Sequence, residues 1–253
     1  MAPPNQTSDP GLRATGDEGI RVGRMMLAAL IRDGRPASSL VDHIVEDIAL
    51  QIILGRLPPG AEVNSVELAR RYHSSRTPVR EALLTLQREG LVEIEARRRP
   101  HVSRVTLDQV RDVYQVRASL HALVSELIVR AGAAVDLSVL DGWQARLRTD
   151  AERGDVDAYF WHNVAFRQAE AELADNARLA RMLASLGLQT LQLRHVSLSL
   201  PGRLRRSLDD HERLLAAYAD RDERLAVALT RSIIAGGARS IEESGWLSRD
   251  EEP

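Results

Sequence analysis

Helical periodicity opens the readable part of the chain. Over residues 40–53 the apolar positions Val41, Ile44, Val45, Ile48, Ile52 and Ile53 recur every three or four residues, which predicts an amphipathic helix closed by Gly55. A short second helix is predicted over residues 65–72, with Ser65 as its N-cap. A third begins between Ser75 and Thr77, carries Pro78 in its first turn and stops at Gly90. Val79, Ala82, Leu83 and Leu86 form its apolar stripe, with Leu84 a further candidate. The period then changes. Leu91-Val92-Glu93-Ile94-Glu95 alternates apolar and polar as a half-buried strand does. Arg97-Arg98-Arg99-Pro100 makes a basic turn, and His101-Val102-Ser103-Arg104-Val105 reads as the returning strand.

From Leu107 onward the alternating pattern is gone. Helical stripes follow one another, separated by Gly132, Gly154, Asp175-Asn176, Pro201-Gly202 and Asp220-Arg221-Asp222. Six helices are predicted, near 108–131, 136–153, 156–174, 177–199, 203–219 and 222–243. At the other end, residues 1–16 hold little apolar content and read as disordered. Residues 20–31 show helical spacing at Val22, Met25, Met26, Ala29 and Leu30, and predict an accessory helix. A signal peptide is disfavoured there: Asp17 and Glu18 precede the segment, its apolar core covers only residues 25–31, and no cleavage site follows. The pattern divides the chain into an accessory segment (1–36), a helix-turn-helix with a hairpin (37–106), an all-helical domain (107–245) and a tail (246–253). The expected fold class is mainly α, a winged helix-turn-helix followed by an all-α bundle.

Composition narrows the function. With 253 residues and 44% hydrophobic content the chain can bury two modest cores. The net charge of −2 says nothing about nucleic acid, but its distribution does. Nine arginines lie between Arg70 and Arg104 against four glutamates, a local excess suited to phosphate. All basic residues are arginine, which reflects genomic base bias rather than a functional preference. The absence of cysteine excludes disulfides, thiolate catalysis and cysteine metal sites, and fits a cytoplasmic protein. No apolar run reaches the roughly 20 residues of a membrane helix. A helix-turn-helix inserts its second helix into the major groove N-terminus first. Arg76, Thr77 and Arg80 therefore become candidates for base edges, Ser65 and Ser75 for phosphates, and Arg97, Arg98 and Arg99 for the wing.

The segment 40–105 resembles the GntR family of bacterial transcription regulators. The match runs in order through Gly55-Arg56-Leu57-Pro58-Pro59-Gly60, Val66-Glu67-Leu68-Ala69, Ser75-Arg76-Thr77-Pro78-Val79-Arg80-Glu81-Ala82-Leu83 and the strand entry at 86–93. Two positions depart from the family pattern. Val66 replaces a polar residue that touches DNA in many relatives, and Arg99 stands where the wing usually has glycine.

The second half adds candidate chemistry on faces that should be apolar. Arg117 and His121 share a stripe with Val110, Val113, Tyr114, Leu120, Val124 and Ile128. Asn163, Arg167 and Glu170 share one with Tyr159, Phe160 and Phe166, and His211 lies among Leu208, Leu214 and Leu215. Buried polar groups are costly unless paired or functional, so these residues mark either a ligand cavity or an internal network, such as Arg167 with Glu126, Glu170 or Asp210. The order of domains resembles the FadR branch of the family, whose helical domain binds small effectors. Many of those members hold a divalent metal through an Asp, a His four residues on, a second His, and a third about 22 residues later. Here the corresponding positions read Asn163, Arg167, His211 and Ile233. One donor of four does not make a metal site, so no cofactor is expected, although rescue by His162 or His195 is conceivable. In its place the sequence suggests a metal-free cavity for an anion such as a carboxylate, with Arg117 and Arg167 as clamps and His121, Asn163 and His211 as hydrogen-bonding groups.

The resemblance implies a homodimeric regulator, a repressor in the commoner case, that binds a palindromic double-stranded operator and responds to a small-molecule effector, with no membrane role. A regulator with no effector, and a helical ligand or partner module with weakened DNA binding, remain open alternatives. An enzyme is disfavoured, because no convergent acid, base and positioning groups stand out; Asp155 and Asp157 near His162 read as helix caps.

Overall fold

The computed structural model describes residues 21–31 and 39–247. The expectation of disorder over residues 1–16, and most of the tail, lie outside the described residues. Residues 21–31 form a helix, α1. Its buried positions are Gly23 and Leu27, while Met25 is 69% exposed. The expected stripe through Met25, Ala29 and Leu30 is therefore rotated, and the reason is a close approach. A Cβ at Gly23 would stand 2.4 Å from the ring of Trp161, so only glycine lets this face seat.

The helix-turn-helix follows as α2 (Leu40–Ile53), α3 (Ser65–Arg71) and α4 (Arg76–Arg88). A reciprocal capping box between Ser39 and Asp42 starts α2. The cap of α3 is Asn64 rather than Ser65: its side-chain oxygen accepts from the Val66 and Glu67 amides at 3.0 and 3.4 Å. The carboxamide wins this position because it reaches two open amides at once. Val79, Ala82, Leu83 and Leu86 of α4 are buried as expected, and Leu84 is exposed. Asp47 of α2 ties the motif together. Its carboxylate accepts from Tyr72 Oη at 2.5 Å and Gln51 Nε2 at 3.1 Å, and pairs with Arg71 and Arg24.

The wing is smaller than its sequence pattern suggests. β1 (Val92–Glu93) pairs antiparallel with β2 (His101–Val102), with Val92 opposite Val102. Residues 60–63 add a third pairing segment through Gly60 N to Val102 O, Val102 N to Ala61 O and Val63 N to Pro100 O. These bonds use the outer edge of β2. The alternation Ala61-Glu62-Val63 is too short to signal a strand by itself. The left-handed residue of the wing turn is Arg97 (φ +65°), not Arg99.

The helical domain holds α5 (Leu107–Ala131), a short 3₁₀ turn at Gly132–Ala134, α6 (Ser138–Arg153), α7 (Val156–Leu173), α8 (Ala177–Ala184), α9 (Gly187–Ser199), α10 (Arg203–Ala219) and α11 (Glu223–Glu243). Seven α-helices replace the expected six, because the segment 177–199 is broken. Gly187 sits at φ +74°, directly against the Glu89 carboxylate, and restarts the chain as α9. Helix α7 is central: from Ala158 to Glu170 all its residues but Gln168 are buried, with Tyr159, Phe160, Trp161 and Phe166 fully enclosed. His162 is therefore buried too, and its Nδ1 lies 2.6 Å from Asp150. Asp155 caps α7 as expected, whereas Asp157 pairs with His195 and Arg56.

The two parts share one apolar core that runs from Ile44, Ile48 and Leu86 through to Phe160, Leu191 and Leu214. Helix α2 packs on α9, and the C-terminal end of α4 meets the start of α9. There Gln189 Nε2 donates to Gly90 O at 3.0 Å, and the Leu188 amide donates to Glu89 at 3.4 Å. The helix-turn-helix is thus bonded directly to the helical domain at the foot of α4.

Candidate DNA-binding surface and effector cavity

The exposed end of α4 carries the candidate base-reading groups. Ser75 holds the N-cap position (φ −75°, ψ 172°), yet its side chain makes no capping hydrogen bond. The first-turn amides of α4 and the Ser75 hydroxyl are therefore open to an anion. Ser75, Arg76, Thr77 and Arg80 are all exposed, while Val79 and Leu83 anchor the opposite face. Ser65 is half-buried in the first turn of α3. On the wing, Arg98 pairs with Glu95 at 2.9 Å and Arg99 with Glu62 at 2.8 Å, which leaves Arg97 projecting at the tip.

The second cluster lies inside the helical domain. Arg117 (α5) and Arg167 (α7) are each 5% exposed, and Arg194 (α9) is half-buried between them. Arg167 Nη1 donates to Glu170 at 2.8 Å, and its Nη2 lies 3.4 Å from His211 Nε2. Arg194 donates to Asn163 Oδ1 at 2.7 Å, and Asn163 Nδ2 lies 3.3 Å from the same His211 nitrogen. With two donors facing Nε2, His211 carries its proton on Nδ1, which has no partner. Arg117 lies over the Tyr114 ring at 4.9 Å. Among the described residues, Glu170 is the one carboxylate bonded to this trio, and its other oxygen accepts from Tyr218 Oη at 2.7 Å. Of the expected network partners for Arg167, Glu170 is realised; Glu126 pairs with Arg130 and Asp210 faces Arg213.

Electrostatics follow from this imbalance. Burial, with Arg167 next and then Arg117 and Arg194, lowers His121 well below the usual histidine value; burial with Arg167 and Arg194 does the same to His211. Burial also pushes Arg117 and Arg194 down, and Arg167 adds to it in both. The two histidines therefore stay neutral in the fold, whereas the unfolded chain protonates them below about pH 6.5. Their contribution to stability is complete above that pH and lost as the pH falls, by up to about 1.4 kcal/mol per pH unit for each. Melting temperatures measured from pH 7.5 to 5 should fall, and His121→Leu, which removes one titrating group, should flatten the slope; a profile identical to the parent's would rule out this assignment.

Two cavities meet at these arginines. A small one, about 50 Å³, is bordered by Arg117, Asn163, Arg167, Arg194, His211 and Ile233. A larger one, about 330 Å³, has Arg117, His121, Arg167 and Arg194 on its wall together with apolar residues of α7, α8 and α9. All five expected effector-binding residues thus border one cavity or the other. The sequence pattern did not single out Arg194; its signal was a charge at helical spacing from Leu191 and Leu198, on their shared face. At Asn163, Arg167, His211 and Ile233 a guanidinium occupies the neighbourhood of the one nitrogen donor, and this donor set does not fit a divalent metal. His162 and His195 are engaged by Asp150 and Asp157.

Residues 40–102 match the family described as bacterial regulatory proteins, gntR family, and residues 112–236 match the FCD domain. The HTH-type transcriptional repressor RspR of Escherichia coli is 25% identical over 85% of this chain and 96% of its own length. The uncharacterized HTH-type transcriptional regulator YdhC of Bacillus subtilis is 26% identical over 52% of this chain, and the match spans 59% of that protein. The solved structure of E. coli McbR/YncC superimposes with a TM-score of 0.67 at 24% identity, over 85% of this chain and all of that one, which supports the fold. Among the described residues no helix is long and apolar enough to cross a membrane.

Proposed function

The chain belongs to the GntR family of bacterial regulatory proteins, in the branch that carries an FCD domain, and on that premise we propose that it is a homodimeric repressor whose operator affinity is set by an anionic effector. A single winged helix offers little interface, and symmetric dimers reading two half-sites are the usual solution. Arg76, Thr77 and Arg80 read base edges in the major groove, Ser75 and Ser65 meet phosphates, and the wing arginines add sequence-independent affinity.

The observation that carries the effector half is the charge count: Arg117, Arg167 and Arg194 border the same two cavities, and among the described residues only Arg167 is bonded to a carboxylate, Glu170. Buried positive charge in that excess calls for an anion. Arg167 is charge-paired with Glu170, so the uncompensated charge is that of Arg117 and Arg194, whose bonded or stacked partners Asn163 and Tyr114 are neutral. The site works without metal, since the cation's role falls to fixed arginines. Effector binding shifts the placement of the two winged helices, which is a coupling free energy between sites.

Two measurements test this. Gel shifts with DNA from upstream of the chain's own gene should show a complex that weakens steeply with salt; no shift at low salt would overturn the DNA half. Isothermal titration with acetate and oxalate should show binding that Arg117→Gln and Arg167→Ala each weaken at least tenfold. Equal binding by parent and variants would remove the clamp.

A further inference from the structure

We propose that the effector is an amphipathic acid, with its carboxylate at the arginines and an apolar body of about ten non-hydrogen atoms in the larger cavity, against the foot of the DNA-reading helix. This rests on the anionic-effector reading above and goes further in naming the class of molecule. The first step is size. The small cavity, about 50 Å³, has room for fewer than two waters at about 30 Å³ each, so it accepts a charged head and nothing more. Whatever else the ligand carries must lie in the neighbouring space of about 330 Å³, which corresponds to about eleven waters.

The second step is chemistry. Away from the arginines, the wall of that space is mostly apolar, with Val164, Ala171, Leu183, Leu188 and Leu191 among its members, and Gln168 and Thr190 add neutral polar groups. A small polar acid would leave this surface wetted without a partner; an apolar body would cover it. Orientation follows from charge. Arg117, Arg167 and Arg194 border both cavities and so mark where they meet, while Glu89 and Glu172 stand elsewhere on the larger wall. A carboxylate is attracted to the first set and repelled by the second, so the ligand enters head to the arginines and tail toward Glu89.

That position gives the tail its consequence. Glu89 is the C-cap of α4, accepts from the Leu188 amide at the start of α9, and touches Gly187. Leu30 of α1 lines the same space. An apolar tail pressed against this joint touches α4 and α9 together, and so acts on the base-reading helix through one contact rather than through the length of the bundle.

The test is a homologous series of probes titrated into the full chain: acetate, butyrate, hexanoate and octanoate, with octanamide as the uncharged control. Affinity should rise about threefold to fourfold per methylene, as burial of each CH₂ predicts, and octanamide should bind at least tenfold more weakly than octanoate. Ala184→Trp, at an exposed position on α8 that borders the cavity, should abolish the gain with chain length. Acetate bound with no dependence on chain length overturns this inference and leaves the anionic reading standing. No binding of any acid by the parent overturns both. A gain that survives Ala184→Trp places the tail elsewhere and overturns the assignment of the cavity.

Discussion

Arg80→Ala is expected to weaken specific operator binding about tenfold to a hundredfold, and Arg76→Ala to do the same, measured by fluorescence anisotropy at one fixed salt concentration. The figure follows from the roughly 1–3 kcal/mol of a bidentate arginine contact to a base edge. Both side chains are exposed on the first turns of α4, whose opposite face is clamped by Val79, Ala82 and Leu83, so truncation removes a contact without disturbing the core. The wing supplies the contrast. Arg97→Ala should lower affinity for operator and unrelated DNA alike and reduce the salt slope by about one, because a phosphate contact carries no sequence information. Arg98→Ala and Arg99→Ala should do less, since each guanidinium is already held by a glutamate, Glu95 or Glu62. An Arg80→Ala protein that still discriminates its operator as the parent does would mean that α4 is not the reading helix.

The first half of the fold was legible because its signals are local. The period of α2, the Pro78 and Gly90 boundaries of α4, and the switch to alternation at Leu91 each sit within a dozen residues of chain. What escaped is held by contacts between distant residues. Segment 60–63 is only four residues long and is set against β2 by backbone bonds to residues some forty positions later, so nothing within its own stretch of chain announces it. The break at Gly187 exists because Glu89, about a hundred residues earlier, stands against it. Helix α7 shows the same limit in packing: a stripe argument presumes a broad wet face, and a helix buried at every position from Ala158 to Glu170 except Gln168 has almost none. In the effector site, the polar residues on apolar faces were readable one helix at a time. Arg194, and the fact that three guanidiniums border one cavity with only Arg167 paired to a carboxylate, became visible only when α5, α7 and α9 were brought together.

Glu170→Gln is expected to cost the parent about 3–5 kcal/mol of stability, the usual range when one partner of a buried ion pair is removed. Glu170 is 1% exposed and Arg167 5%, so solvent screens neither charge. The glutamine keeps the shape and can still accept from Tyr218, whose hydroxyl continues to Ser125 and Thr230. What it loses is the charge that offsets Arg167. The site then holds three guanidiniums with no bonded carboxylate, and its demand for an anion grows. Added octanoate should therefore raise the melting temperature of Glu170→Gln by more than that of the parent, because a ligand stabilises in proportion to the logarithm of its concentration over Kd. Glu126→Gln, which loosens an exposed pair with Arg130, should leave both the melting temperature and the response to octanoate within error of the parent. If Glu170→Gln melts with the parent, the buried pair is not a structural tie. If octanoate stabilises the two proteins equally, the acid binds away from Arg167, and the clamp and the cavity assignment fail together.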